Sequence, residues 1–254
     1  MEGSYPQLTK AYIEAAAEKL RRSSKFFVNN HQGAKTPIDE IAEFDLGLNI
    51  DFDNLRESFH FETSSSEDQI LGAMVFSNRQ IIVDETLDPV DNPAIEGRYR
   101  FTIAHEIGHW VLHRHLFSNE LNAVAALRET TGDYLLRQKT PDARLEWQAN
   151  YFAACILMPR IEVERAWYQF SNTLRPFDYE TCRKHLNLPF LEDFWLPIGQ
   201  SLAPNVNQSE ILNADKNRIF KLIAIELATL LNVSTQSMQI RLKELGFLIS
   251  PPKK

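Results

Sequence analysis

The chain predicts an α+β fold, mainly helical, with a small β-sheet and a small helical unit towards its C-terminal end. Three observations carry that expectation. Two long stretches, about 98–117 and 144–158, read as strong helices. Between them and the N-terminal part, ILGAMVF and QIIVDE flank the turn residues SNR, which is the pattern of a β-hairpin. Behind a stretch with four prolines and few periodic apolar runs, residues 214–249 become helical again.

Composition sets the frame for this reading. At 254 residues, with 44% hydrophobic and 24% charged side chains, the chain has ordinary globular composition and can bury a core without staples. The two cysteines, Cys155 and Cys182, sit in unlike surroundings, so a disulfide framework is not expected and a reducing compartment fits. No segment reads as a membrane span or a signal peptide, and the expected setting is cytoplasmic. The net charge of −7 argues against a general nucleic-acid coat. Residues 214–254 carry seven Lys or Arg against three acids, a surplus of four that leaves −11 on the rest. That change of sign marks a distinct C-terminal unit. The expected organisation is 1–170 as the main domain, 171–213 as an irregular connection with short helices, and 214–254 as the helical tail.

Taken in order, residues 8–29 read as one exposed amphipathic helix. A second helix opens at TPIDE, with Thr36 as N-cap, Pro37 at the first helical position and Glu40 early in the first turn, and Gly47 stops it. SSSEDQ is a polar loop. The hairpin follows, then the turn-rich connector LDPVDNPAIEG. TGDYLLRQKTPD reads as a loop with room for a short strand. RLEWQANYFAACILM is a helix that Pro159 ends, because proline clashes with the preceding turn.

The chemistry concentrates in HEIGH, residues 105–109. On a helix, residues four apart share a face, so His105 and His109 can place two imidazole nitrogens on one cation. Zinc takes three such protein ligands and a water in a catalytic site. Glu106 projects about 100° round the helix from His105, where a carboxylate can act on water as a general base without ligating the metal. Gly108 in mid-helix costs about 1 kcal/mol relative to alanine, which close packing of another backbone would explain. The best third ligand is Glu146 in EWQAN, with Asn150 one turn on as a hydrogen-bond partner for a histidine. Small Ala149 and Ala153 on that face would let the two helices approach closely. His113 can be a ligand, an outer hydrogen-bond partner or a packed histidine, and Cys155 packs as a small hydrophobe. A bare HExxH string also arises by chance as surface charge, and Glu146 can be a surface glutamate.

These stretches, taken together, resemble the ImmA/IrrE metallopeptidases. The resemblance runs through TPIDEIAEFDLGLNI, GAMVFSNRQIIVDE, RYRFTIAHEIGHWVLH and EWQANYFAACILMPR to LATLLNVSTQSMQIRLKELGFL, covering about residues 36–167 and 218–249. It implies a zincin-like metallopeptidase domain and a helix-turn-helix-like tail. It also implies His105, His109 and Glu146 as ligands and Glu106 as the catalytic acid/base. The implied metal is Zn2+, with Mn2+ or Fe2+ as alternatives. The implied activity is endopeptidase cleavage of a helix-turn-helix transcriptional repressor, which relieves repression. Two departures touch the surroundings of the ligands: Gln148 stands where the family often has an acid, and Asp84 where the hairpin has an asparagine. The stretch 118–145 is also long for the family.

The strand Gln80–Asp84 is expected to bind substrate as an added β-strand. His113, His115, Tyr134 and Tyr151 are the candidates for stabilising an oxyanion. In the tail, Ile223, Leu227 and Leu230 or Leu231 mark one helix. Ser234 caps a second with core residues Met238, Leu242 and Leu245, and Gly246 ends it. Gln236, Gln239, Arg241 and Lys243 would then be exposed and able to face a DNA groove. The rival reading is a DNA- or repressor-binding regulator, or a toxin–antitoxin component, whose metal site is structural or inactive.

Overall fold

The structure is a computed structural model that describes residues 7–28, 35–58, 69–117, 124–129, 141–188 and 208–249. The hydroxyl of Thr9 accepts from Tyr12 N and caps α1, Lys10–Ser23, which buries Ile13, Ala17 and Arg21 along one face. The single helix expected over 8–29 is broken at Ser24, whose backbone is extended and whose hydroxyl accepts from Phe26 N; α2, Lys25–Val28, follows.

Thr36 does not cap the next helix. It is fully buried, and its hydroxyl donates to Ile156 O at 2.7 Å, in the last turn of a distant helix, where carbonyls lack helical partners. Its own carbonyl accepts from Arg100 Nη2 at 2.6 Å. The residue therefore fastens the chain to two long helices, and α3, Ile38–Glu40, starts after Pro37 and runs on as a π-helical turn, Ile41–Asp45. Gly47, with φ +62°, makes the expected stop.

An unexpected strand follows. β1, Asn49–Asp53, lies parallel to β3, Gln80–Asp84, with Asn49 opposite Gln80 and Asp53 opposite Asp84. After the short α4, Leu55–Ser58, the expected hairpin forms from β2, Gln69–Val75, and β3. β4, Val124–Glu129, pairs antiparallel with β2 and was not expected either. The four-stranded mixed sheet has the order β1-β3-β2-β4. This order overturns the expectation that Gln80–Asp84 adds a substrate strand, because β3 already has a neighbour on each edge. Asp84 caps the short 3-10 turn after β3, its carboxylate accepting from Thr86 N and Thr86 Oγ1. Leu55 packs with Ile70, Ala73 and Ile82 as one small core.

The two long helices come next. α5, Glu96–His113, starts slightly before the expected range and ends in a 3-10 turn, Arg114–Leu116. α6, Pro141–Leu157, stops just before Pro159. The strand expected within 131–142 falls on residues 131–140, outside the described residues, and on 141–142, which open α6. Neither cysteine is in a disulfide, and both are buried.

The chain divides into two compact units. One is Met1–Pro159 with Leu231–Val233, and the other is Arg160–Leu230 with Ser234–Lys254. The second contains α7, Arg160–Ser171, and α8, Tyr179–His185, as well as most of α9, Gln208–Leu231, and all of α10, Thr235–Glu244. Its centre is Trp167 of α7, which stacks on Phe247 with ring centroids 5.1 Å apart and meets Phe177 edge-on at 5.0 Å. Phe177 and Leu248 form a short parallel bridge. Much of the expected irregular connection, residues 189–207, lies outside the described residues.

The tail helices form largely as read. The axes of α9 and α10 turn by 104°, Ser234 accepts from Ser237 N at the start of α10, and Gly246 has φ +79° at its end. Ile223, Leu227, Leu231, Met238 and Leu242 are buried, whereas Leu230 is exposed and Leu245 half-buried. One expectation fails here. Arg241 is not exposed: it is fully buried, shares a helix face with Met238, and lies 3.8 Å from Glu244. Gln239 is half-buried, and only Gln236 and Lys243 of the four polar residues are open to solvent. No single helix among the described residues is long and apolar enough to cross a membrane, and the bent α9–α10 pair reaches that apolarity only when taken together.

Candidate metal centre

Every residue of α5 from Ile103 to His109 is buried. A helix buried all round shows no single apolar stripe, and its polar side chains must find partners inside the protein. The sheet meets α5 along β2, β3 and β4, and α6 lies against it. The approach of α6 is set by Gly108. A Cβ on Gly108 would stand 3.0 Å from Ala149 Cα, 3.1 Å from Ala149 O and 3.3 Å from Phe152 Cβ. Close packing of another backbone is therefore what the glycine permits, and its propensity cost of about 1 kcal/mol is offset by that contact.

This contact brings Glu146 to the two histidines. His105 Nε2 and His109 Nε2 are 2.9 Å apart. Glu146 Oε2 is 3.2 Å from His105 Nε2, and Glu146 Oε1 is 3.2 Å from His109 Nε2. The three residues form a group that could hold a metal ion. Two nitrogens bound tetrahedrally to one zinc at ~2.0–2.1 Å stand about 3.3 Å apart, so the spacing fits one small cation. The imidazoles are buried and the Glu146 side chain is 30% exposed, which leaves one side of the cluster reachable from solvent. Burial alone would raise the Glu146 carboxyl. The two imidazoles beside it, His109 foremost, outweigh that, and the group stays well below the usual carboxylate range. It is an anion, as a ligand must be.

The remaining expected residues fall into place around this cluster. Asn150 Oδ1 is 3.0 Å from His105 Nδ1. An amide oxygen only accepts, so Nδ1 carries the proton and Nε2 presents a lone pair to the cluster. His113 is outside the triad, with Nδ1 3.1 Å from His109 Nδ1 and Nε2 2.9 Å from Gln148 Oε1. Burial, with His109 alongside, pushes the His113 imidazole down to about 3. Among the oxyanion candidates, His115 is exposed on the 3-10 turn, and Tyr151 is buried against Trp147 with Lys10 Nζ 5.0 Å from its ring centroid. Tyr134 lies outside the described residues.

Glu106 is fully buried, and sequence reasoning missed what stands beside it. A Cβ on Gly72 of β2 would lie 3.1 Å from Glu106 Oε1 and 2.5 Å from Thr102 Cγ2. The pairing of β2 with β4 shifts register between Ile70 and Gly72, so this glycine sits at an irregularity of the sheet. A glycine inside the apolar run ILGAMVF was the available signal, since it marks close approach or a bulge. Gln148 was the second omission. Its sequence gave only a departure from an expected acid, and the structure gives it a partner, His113.

The protein-family model described as the IrrE N-terminal-like domain (Peptidase_M78) matches residues 75–192. The matched stretch contains β3, α5, β4, α6, α7 and α8, and with them all three residues of the cluster. No curated protein matches the chain.

Proposed function

We propose that this chain, whose residues 75–192 match the IrrE N-terminal-like domain, is a metal-dependent endopeptidase whose substrate is a specific protein, a helix-turn-helix transcriptional repressor, and that cleavage relieves repression. The observation that carries the catalytic part is the convergence of His105, His109 and Glu146 beside a buried glutamate that is not one of the three. Two imidazoles and a carboxylate suit zinc, with manganese and iron as the alternatives.

A cation held by these residues would supply Lewis acidity towards the scissile carbonyl and towards water. The chain's own part is proton transfer and positioning. Glu106 takes the proton of the attacking water as the C–O bond forms, and returns it to the amine nitrogen as the C–N bond breaks. His105 and His109 keep their bare nitrogens towards the cluster. Gly72 leaves room for the carboxylate of Glu106. Gly72→Ala is therefore expected to lower turnover by on the order of 10²-fold, because a small misplacement of a reacting group suffices, with metal content unchanged. Turnover equal to wild type would show that the strand does not hold Glu106.

The choice of a repressor as substrate rests on the resemblance to the ImmA/IrrE peptidases. The rival reading, a DNA-binding regulator, draws less support, because Arg241 of α10 is buried and leaves few cations to meet phosphates. The test is a trap. Immobilised Glu106→Gln chain, loaded with zinc, is exposed to native lysate, and each retained protein is then offered to wild type with and without chelator. Chelator-sensitive cleavage of a helix-turn-helix repressor supports the proposal. Retention of DNA or of uncut partners only favours the rival.

A further inference from the structure

We infer that Gln148 and His113 form a directional hydrogen-bond relay that fixes the proton on His109, which makes Gln148 a positioning residue for the centre. The inference rests on the reading of His105, His109 and Glu146 as a metal centre. It starts from Gln148 Oε1, 2.9 Å from His113 Nε2. An amide oxygen can only accept, so His113 Nε2 carries the proton. A neutral imidazole has one such proton, so His113 Nδ1 is bare and accepts from His109 Nδ1, 3.1 Å away. His109 Nε2 is then bare as well. That is the atom 2.9 Å from His105 Nε2 and 3.2 Å from Glu146 Oε1.

Asn150 sets His105 the same way through its Nδ1. The outcome is two bare imidazole nitrogens and a carboxylate oxygen facing one another, the donor set that a cation takes. The opposite orientation of the Gln148 amide would reverse every step. Its NH2 would donate to His113 Nε2, and the proton of His109 would move to Nε2, pointing into the cluster. Gln148, His113 and His109 are all buried, so water does not set the direction instead.

Helix geometry explains why His113 serves this role and does not join the cluster. At 3.6 residues per turn, each step of four residues advances the side chain by about 40°. His109 is turned once from His105, and His113 twice. The third imidazole is thereby carried round to Gln148 and meets His109 at its far nitrogen. Gln148 is the residue that departs from the family's frequent acid, yet an amide oxygen and a carboxylate oxygen are both acceptors here. The departure keeps the direction of the relay.

Two readouts test it. The first is 15N NMR of the imidazoles in the metal-free wild-type chain, which needs no variant. The expected result is His109 protonated at Nδ1 and His113 at Nε2, and the reversed pattern overturns the relay. The second is zinc affinity, measured by competition with a chromophoric chelator, in Gln148→Leu and Gln148→Glu, with thermal unfolding followed alongside. Gln148→Leu removes the acceptor and is expected to weaken zinc by roughly 10-fold, the lower end of what losing a ligand's direct partner costs, because Gln148 acts on His109 through His113. Gln148→Glu keeps an acceptor and is expected to hold zinc as wild type does or more tightly. Wild-type affinity in Gln148→Leu, or equal losses in both variants, overturns the relay. A wild-type chain that takes up no zinc overturns the metal-centre reading and the relay's purpose with it, whereas reversed tautomers in a zinc-binding chain sink the relay alone.

Discussion

Replacing Glu106 with glutamine is expected to lower peptide hydrolysis by roughly 10²–10⁴-fold, the contribution of a positioned general acid/base, while the chain still takes up one metal ion. The amide matches the carboxylate in shape and fits the same buried space against Gly72. What it lacks is the capacity to take a proton from water and pass it on. Because the cluster is formed by His105, His109 and Glu146, metal uptake does not depend on residue 106. Single-turnover cleavage and metal content, measured on the same preparation, check both halves. Cleavage at the wild-type rate would assign the base elsewhere. Loss of metal would make Glu106 a ligand.

Gly108→Val is expected to destabilise the fold by about 3 kcal/mol, the upper end of ordinary overpacking, and to weaken metal binding with it. At this position the added atoms meet backbone, not the free end of a side chain: Ala149 Cα and O lie 3.0 and 3.1 Å from where a Cβ would be. α6 must move away from α5, and Glu146 moves with it. Gly108→Ala is the informative control. It gains about 1 kcal/mol of helix propensity against the same contact, so its stability change is small while its loss of metal affinity follows the helix separation. Denaturant unfolding of the metal-free chain and metal titration measure the two effects separately. A Gly108→Val chain with wild-type stability and affinity would show that the contact does not set the spacing of the helices.

What could be read from the sequence follows what is local. HEIGH announces its own geometry, because spacing of four on a helix is enough to put His105 and His109 on one face. Gly47, Ser234, Pro159 and Gly246 act through their own backbone or side chain, and each ends or caps a helix close to where it was read. The unread parts depend on partners distant in sequence. β1, NIDFD, alternates as a strand should, but its side chains are mostly exposed, and only pairing with β3 makes it one. β4, VAALRE, is rich in good helix formers, and its pairing with β2 overrides that preference.

The same holds at the site. Gln148 and Gly72 say nothing alone about His113 or Glu106, since both pairings exist only once α6 and β2 are packed on α5. Arg241 misled for the converse reason: a cation on a short polar helix is expected outside, and its helix face is shared with buried Met238.

A metal ion bound between α5 and α6 is the central expectation. The deciding measurement is the anomalous scattering of crystals of the zinc-loaded chain, recorded on both sides of the zinc absorption edge. One peak per chain is expected, within ~2.0–2.2 Å of His105 Nε2, His109 Nε2 and a Glu146 carboxylate oxygen. A peak held by His113 or placed away from Glu146, or no peak between α5 and α6, would contradict it.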